Sequence, residues 1–266
     1  MAFSHQLNSH YLFENFIAGE ANQLARAAAT QVVDLLGMIY NPLFIYGDHG
    51  VGKTHLIQAI GNQIKSNNLQ AKICYVHSER YVSDVVRAYQ SNKFEEFKQY
   101  YHSLDILLID DIQFFAGKTK TQEEFFFTFN TLIDSHKQVI MTSDTPPESL
   151  SGIDARPISR FSSGLTVAVE PPELEMRAAI LLQKAIESGC PIGEDIAYFV
   201  AKHVRSDIRM LEGALNMIEA RARFYNRPIT VDLVNEALFT APFSKELNDK
   251  VGALESCVEP FYYPVR

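Results

Sequence analysis

The chain is 266 residues long, 47% hydrophobic, with a net charge of −8 and a pI of about 5.5. That length allows one large domain or a domain plus a smaller one, and the acidic balance weighs against a surface that coats duplex DNA by charge alone without excluding a local basic patch. No apolar run is long enough to span a bilayer, and residues 1–6 lack the charged and apolar regions of a signal peptide. Cys74, Cys190 and Cys257 are isolated, odd in number and without metal-ligand spacing, as for ordinary thiols of a reducing cytoplasm.

In chain order, Leu24, Ala25, Ala28, Val32, Leu35 and Leu36 form a helical stripe. The apolar segment Pro42-Leu43-Phe44-Ile45-Tyr46 follows, then Gly47-Asp48-His49-Gly50-Val51-Gly52-Lys53-Thr54, then a helical pattern at Leu56, Ile57, Ile60 and Ile64. Residues 72–77 predict a second strand. Two helices are predicted next, one on Tyr81, Val82, Val85, Val86 and Tyr89, the other on Phe94, Phe97 and Tyr101. The run 104–109 has the mostly apolar character of a strand buried on both faces. Thr121 with Glu124 predicts a capping box for a helix carrying Phe125, Phe129, Leu132 and Ile133. Residues 138–142 and 165–169 complete five strands, and their alternation with helices predicts an α/β fold with a parallel sheet between helical layers. At Pro171-Pro172 the character changes: from there to about 240 the signals are helical only, with Thr230 a fair N-cap for the last helix. The expected organisation is an α/β domain over 1–171, a small helical domain over 172–240, and a linker helix and tail over 241–266.

Strand, glycine loop and helix are the context in which G-x-x-x-x-G-K-[ST] binds phosphate. Gly47, Gly50, Val51 and Gly52 shape a loop whose N–H groups can face phosphate oxygens, and the helix that opens near Lys53 adds its positive dipole end. Lys53 can reach the β/γ-phosphates and the Thr54 hydroxyl can sit on Mg²⁺. Leu107-Leu108-Ile109-Asp110-Asp111 ends a buried strand with two acids. Acids also cap strand-to-loop turns, but beside a phosphate loop Asp110 suits Mg²⁺, and Asp111 suits orienting the attacking water. Asp144 ends the next strand and is placed for the same water, or for a turn before Pro146-Pro147. Arg160 suits a short helix at the domain edge, from which a guanidinium can complete a neighbouring subunit's site. Arg209 belongs to the helical domain and would contact phosphate if that domain folds over the nucleotide. From spacing alone, a solvated surface charge is the commoner role for either arginine.

The chain resembles the AAA+ ATPase domain of the DnaA family of bacterial chromosomal replication initiators. The matching stretches include Tyr11-Leu12-Phe13-Glu14-Asn15-Phe16-Ile17, Gly52-Lys53-Thr54-His55, His77-Ser78-Glu79-Arg80, Leu108-Ile109-Asp110-Asp111-Ile112-Gln113-Phe114-Phe115, Ser159-Arg160-Phe161 and Arg209-Met210-Leu211-Glu212-Gly213, spread from about residue 10 to 240. The resemblance implies an AAA+ P-loop NTPase with a helical lid, binding ATP or ADP with Mg²⁺ and hydrolysing ATP slowly as a switch. By it Phe16, Ile17, Asn22 and His55 join the nucleotide-binding residues. Asp144 and Arg209 become the two sensors, and Arg160 a finger acting in trans in a head-to-tail oligomer. Residues 78–102 become the initiator-specific insertion that helps to stack protomers. Single-stranded DNA is the implied partner, at Val86, Arg87, Lys118 and Lys120. The second acid is Asp where many AAA+ motors carry Glu, and the shorter side chain agrees with slow hydrolysis.

The family's N-terminal helicase-loading domain and C-terminal helix-turn-helix have no counterpart here, so contacts with other replication proteins and the reading of duplex boxes are expected of segments outside this sequence. Ala155-Arg156-Pro157 departs from the family's Asp-Arg-Leu, and Pro157 restricts the residue before it. The alternative reading is a DnaA-like regulator without a DNA-binding domain, which docks on the initiator and stimulates its ATP hydrolysis.

Overall fold

A computed structural model of the chain describes residues 7–204 and 207–239. The expected linker helix and tail, with Cys257, lie outside the described residues. The chain divides into two units, Met1–Glu173 and Leu174–Arg266.

The first unit is built on five short strands: β1 (Leu43–Tyr46), β2 (Ile73–His77), β3 (Ile106–Asp110), β4 (Gln138–Ser143) and β5 (Leu165–Ala168). All pair in parallel, in the order β2-β3-β4-β1-β5. Parallel strands need crossovers, and the helices between them supply these. They are α2 (Lys53–Asn67), α3 (Ser78–Gln90), α4 (Phe94–His102), α5 (Thr119–Asp134) and α6 (Ala155–Phe161), while α1 (Gln23–Asp34) precedes β1. Side chains alternate across the sheet as the period of two requires. Phe44, Leu107, Ile109, Val139 and Met141 pack with Tyr81, Phe97, Phe125, Phe129 and Phe161 of α3 to α6. Leu43, Ile45, Ile106, Leu108 and Ile140 pack with Ala25, Val32, Leu56 and Ile60 of α1 and α2. The central strands are therefore buried on both sides, which is why their sequences read as unbroken apolar runs.

Two local expectations are corrected. In α1 the buried stripe is Ala25, Ala28, Ala29 and Val32, while Leu24 and Leu35 are exposed; small alanines let this helix lie close on the sheet, and the leucines fall at its edges. The Thr121–Glu124 capping box does not form. α5 starts three residues earlier, with Lys118 at its N-cap position, its first turn closed by the Gln122 N–H donating to the Lys118 carbonyl at 3.0 Å, and Thr121 is buried inside the helix. The Gln122 amide donates to the carbonyls of Phe115 (2.8 Å) and Gly152 (2.7 Å), anchoring this first turn to neighbouring loops and fixing where it begins.

At the edge where β1 and β4 begin, two amide side chains join the strands to the loop before β1. Gln138 is fully buried; its Oε1 accepts from the Gly37 N–H (3.0 Å) and its Nε2 donates to the Tyr40 carbonyl (3.1 Å). Asn41 donates to the Lys137 carbonyl (2.8 Å) and accepts from the Val139 N–H (3.0 Å). Gly164, before β5, passes so close to Pro42 that a Cβ would lie 1.9 Å from its carbonyl oxygen.

The second unit contains α7 (Leu174–Glu187), α8 (Glu194–His203), α9 (Ile208–Tyr225) and α10 (Val231–Phe239). Leu181, Val200, Leu211, Leu215, Ile218 and Leu238 lie in its own core. Asp207 caps α9, its carboxylate accepting from the Met210 N–H at 2.8 Å.

Candidate functional site

The loop 47–52 leaves β1 and runs into α2. Gly47 passes under β5: a Cβ there would lie 2.0 Å from the Val169 carbonyl oxygen, so only glycine fits. Gly52 turns the chain at φ +104° into the first residue of α2, a conformation that L side chains resist. Val51 is buried between them and anchors the loop. Lys53, only 6% exposed, turns its ammonium back into the loop, donating to the carbonyls of Gly47 (2.6 Å) and Asp48 (2.9 Å). A buried ammonium inside a loop that opens a fifteen-residue helix makes a strong local positive field.

Across from the loop, β3 ends in Asp110, which is 1% exposed. Three hydroxyls hold its carboxylate. Thr54 donates to Oδ2 at 2.7 Å, Tyr75 donates to Oδ2 at 2.8 Å, and Thr142 donates to Oδ1. Burial, and then the Asp110 charge, push the Tyr75 phenol far above its ordinary range, so this hydroxyl stays a donor. The Thr142 hydroxyl also accepts from the Asp111 N–H at 2.9 Å, joining the two acids through one side chain of β4.

Asp111 takes the left-handed conformation, φ +58°, which costs an ordinary side chain about 1 kcal/mol and which Asp tolerates because its short polar side chain can hydrogen-bond locally. Both its carboxylate oxygens are engaged. His77 Nε2 lies 3.0 Å from Oδ2, and Gln113 Nε2 donates to Oδ1 at 3.1 Å. Burial pushes the Asp111 carboxyl up, but the His77 and Gln113 hydrogen bonds and the charge of Lys53 outweigh it, and the group sits below its ordinary value. The same hydrogen bond raises His77 against its own burial. Ser78, the first residue of α3, donates to the Asp111 carbonyl at 2.5 Å.

The segment before α1 packs on α2. Phe16 is buried with its ring edge-on to His55 at 5.3 Å, and His55 Nε2 lies 2.9 Å from the Leu12 carbonyl and 3.0 Å from Asn15 Oδ1. Asn22, fully buried, donates to the Ile17 carbonyl (2.9 Å) and accepts from the Gly19 N–H (3.1 Å). Its amide thus shapes the turn that carries Ile17.

Asp144 follows β4 at the same sheet edge, half-buried, with the Ser143 hydroxyl 3.4 Å away. Arg160 is exposed on α6, which Phe161 pins to the core through the rings of Phe44, Phe125 and Phe129. Pro157 occupies the first turn of α6, where its missing N–H costs nothing, so Arg156 remains helical. Arg209 is exposed in the first turn of α9, in the second unit. Val86 is exposed on α3, and Arg87, half-exposed there, lies 3.6 Å from the buried Asp84. Lys118 and Lys120 are exposed at the start of α5, Lys118 donating to the Phe114 carbonyl at 2.7 Å.

The Thr54 hydroxyl beside a buried carboxylate is a pair of hard oxygen donors, the set that suits Mg²⁺ when substrate phosphates supply further oxygens. No cluster of three or more His, Cys, Asp or Glu able to hold a metal occurs among the described residues. The described helices include none long and apolar enough to cross a membrane.

The sequence reading gave no role to His77, Thr142, Tyr75 or Gln113. A signal existed for two of them. His77 and Thr142 stand at or near the carboxyl ends of predicted strands, at the edge where ligands collect in open α/β sheets. The hydrogen bonds of Tyr75 and Gln113 depend on strand order and on a 3-10 turn at Ile112–Phe115, which periodicity does not reveal.

Comparison with known proteins agrees with this architecture. The model of the bacterial DnaA ATPase domain matches residues 7–168. The chromosomal replication initiator protein DnaA of Paraburkholderia phymatum is 57% identical over 257 residues, which cover 97% of this chain and 50% of that protein. The chain thus spans about half the length of the curated relatives it matches. Domain III of the Thermotoga maritima replication initiation protein DnaA superposes with a TM-score of 0.85 at 39% identity, covering 88% of this chain and 97% of that one. A replication initiator DnaA bound to AMPPCP and single-stranded DNA superposes with a TM-score of 0.73 at 28% identity, covering 94% and 93%. By sequence, by sheet order and by the loop and acid pair at its edge, this chain belongs to the bacterial DnaA ATPase-domain family.

Proposed function

We propose that this chain is the nucleotide switch of a replication initiator: it binds ATP with Mg²⁺ in the loop 47–54, hydrolyses it slowly, assembles head-to-tail with further copies, and holds single-stranded DNA. The observation that carries the reading is the 2.7 Å contact of Thr54 with Asp110, which joins the phosphate loop to the buried acid of β3. Lys53 would transfer its donors from the loop carbonyls to phosphate oxygens. Thr54 and Asp110 would hold Mg²⁺, which when bound neutralises phosphate charge. Phe16 and Ile17 would line the adenine side, with His55 and Asn22 fixing their segment.

Asp111 would orient the attacking water, with Asp144 as first sensor, Arg209 as second and Arg160 completing a neighbour's site. Asp111 accepts one hydrogen bond on each oxygen, from His77 and Gln113, which fixes the carboxylate and leaves lone pairs to orient a water. Val86, Arg87, Lys118 and Lys120 would face the strand, each a modest contact that repeats along an assembly. The relative solved with AMPPCP and single-stranded DNA supports both ligands.

The test is a titration with a fluorescent ATP analogue. Lys53→Ala should weaken binding at least a hundredfold, and undiminished affinity would overturn the reading. Wild-type chain with ATP and single-stranded DNA should scatter light as it assembles. No assembly, together with stimulation of a full-length initiator's ATPase, would favour the regulator instead.

A further inference from the structure

The insertion carries a column of aromatic rings that the nucleotide site does not use. Phe97 is buried, edge-on to Tyr81 at 5.6 Å. Phe94 stacks on Phe97 with centroids 5.6 Å and planes 12° apart, and Tyr89 stacks on Phe94 at 4.3 Å and 18°. Three near-parallel rings thus run from the core to the surface, where Tyr89 is 46% exposed. Phe94 covers one face of Tyr89, and the Tyr89 hydroxyl donates to Glu124 Oε1 at 2.5 Å, fixing the ring plane. What remains open is the opposite face and its edge.

The surroundings indicate what this face receives. Val86, also 46% exposed, precedes Tyr89 by three residues and is its neighbour on α3. Glu124 follows Lys120 by four residues on α5, so the hydrogen bond from Tyr89 links the two helices that bear the four residues proposed to meet the strand. A flat ring held at its rim can add a nucleobase as its next layer, because its face gives stacking that tolerates any base.

We propose that the outer face of Tyr89 is a stacking platform for one base of the bound single strand. This rests on the single-stranded DNA reading above. It differs from a backbone-only contact in depending on the base itself.

The experiment measures anisotropy of two labelled single strands of equal length, oligo-dT and its abasic counterpart, with the full chain, ATP and Mg²⁺. Tyr89→Ala should weaken oligo-dT binding about tenfold and leave the abasic strand unchanged. Tyr89→Phe, which keeps the ring and loses only the Glu124 hydrogen bond, should retain the preference for bases. The sequence contains no tryptophan, so Tyr89→Trp introduces a unique indole whose emission oligo-dT should quench and the abasic strand should not.

If the wild type binds neither strand, the DNA reading falls and the platform with it. If the wild type binds but Tyr89→Ala affects both strands equally, or neither, the DNA reading stands and the platform is overturned. Loss of assembly in Tyr89→Ala without nucleic acid, with the preference for bases intact, would make this face a protein contact and equally overturn it.

Discussion

Thr142→Val tests whether one hydroxyl holds the two acids together. Thr142 is fully buried; its hydroxyl donates to Asp110 Oδ1 and accepts from the Asp111 N–H at 2.9 Å. Valine keeps the shape and removes both bonds, a swap that is not neutral inside a core. A hydrogen bond to a charged group contributes about 1.5–3 kcal/mol, and an orphaned buried N–H costs about 1–3 kcal/mol. Thr54 and Tyr75 still serve Oδ2, so a loss of about 3 kcal/mol is expected, or about 6–12 °C in melting temperature for a unit of this size. Thr142→Ser keeps the hydroxyl, loses one methyl, and should cost about 1 kcal/mol. Thermal melting followed by circular dichroism measures both. A loss in Thr142→Val no larger than that in Thr142→Ser would refute the reasoning, since the two hydrogen bonds would then be worth no more than one buried methyl.

The His77–Asp111 pair predicts a pH signature for His77→Ala in urea unfolding. Asp111 lies below its ordinary 3.8, so its contribution is present above that pH and is lost as pH falls through the depressed value. His77 lies above its ordinary 6.5, so its contribution is complete below 6.5 and is lost as pH rises through the raised value. The wild-type advantage should therefore be greatest between about pH 4 and 6.5 and shrink on the alkaline side; a difference that stays constant to pH 9 would remove the pair from the account. Arg160→Ala should leave unfolding within about 0.5 kcal/mol of wild type, because the side chain is exposed, and should leave ATP affinity of the isolated chain intact. It should abolish ATP-dependent light scattering, and full assembly by this variant would rule out the trans role.

Much of the first unit was legible because its signals are local. Glycine spacing after an apolar segment located the loop, and unbroken apolar runs located strands covered on both faces. The acid pair was readable because it ends one such run. Strand order was not legible, since nothing local says that β1 lies between β4 and β5. The Tyr75 contact with Asp110 was hidden for that reason, since it exists only once β2 lies beside β3, whereas His77 and Thr142 stood at strand ends where a role could have been assigned. The capping box at Thr121 failed because capping competes with tertiary anchoring, and the buried Gln122 amide fixed the start of α5 earlier. Val86 and Tyr89 fitted a core stripe by periodicity, yet both lie on the outer side of α3.

The amide pair at the far edge of the sheet has a bearing on chemistry some four residues away. Gln138 and Asn41 lock the first residues of β4 to the loop entering β1. With each residue advancing the strand by about 3.3 Å, that lock acts as the zero mark of a ruler. It decides that Tyr46 stands level with Ser143, and so how high the glycine loop sits against Asp144. A slip of one residue at the base would raise or lower the lysine cup by nearly the width of a phosphate group, and would turn Thr142 away from the acids. Two neutral amides, at the opposite edge of the sheet, thereby bear on the height of the glycine loop.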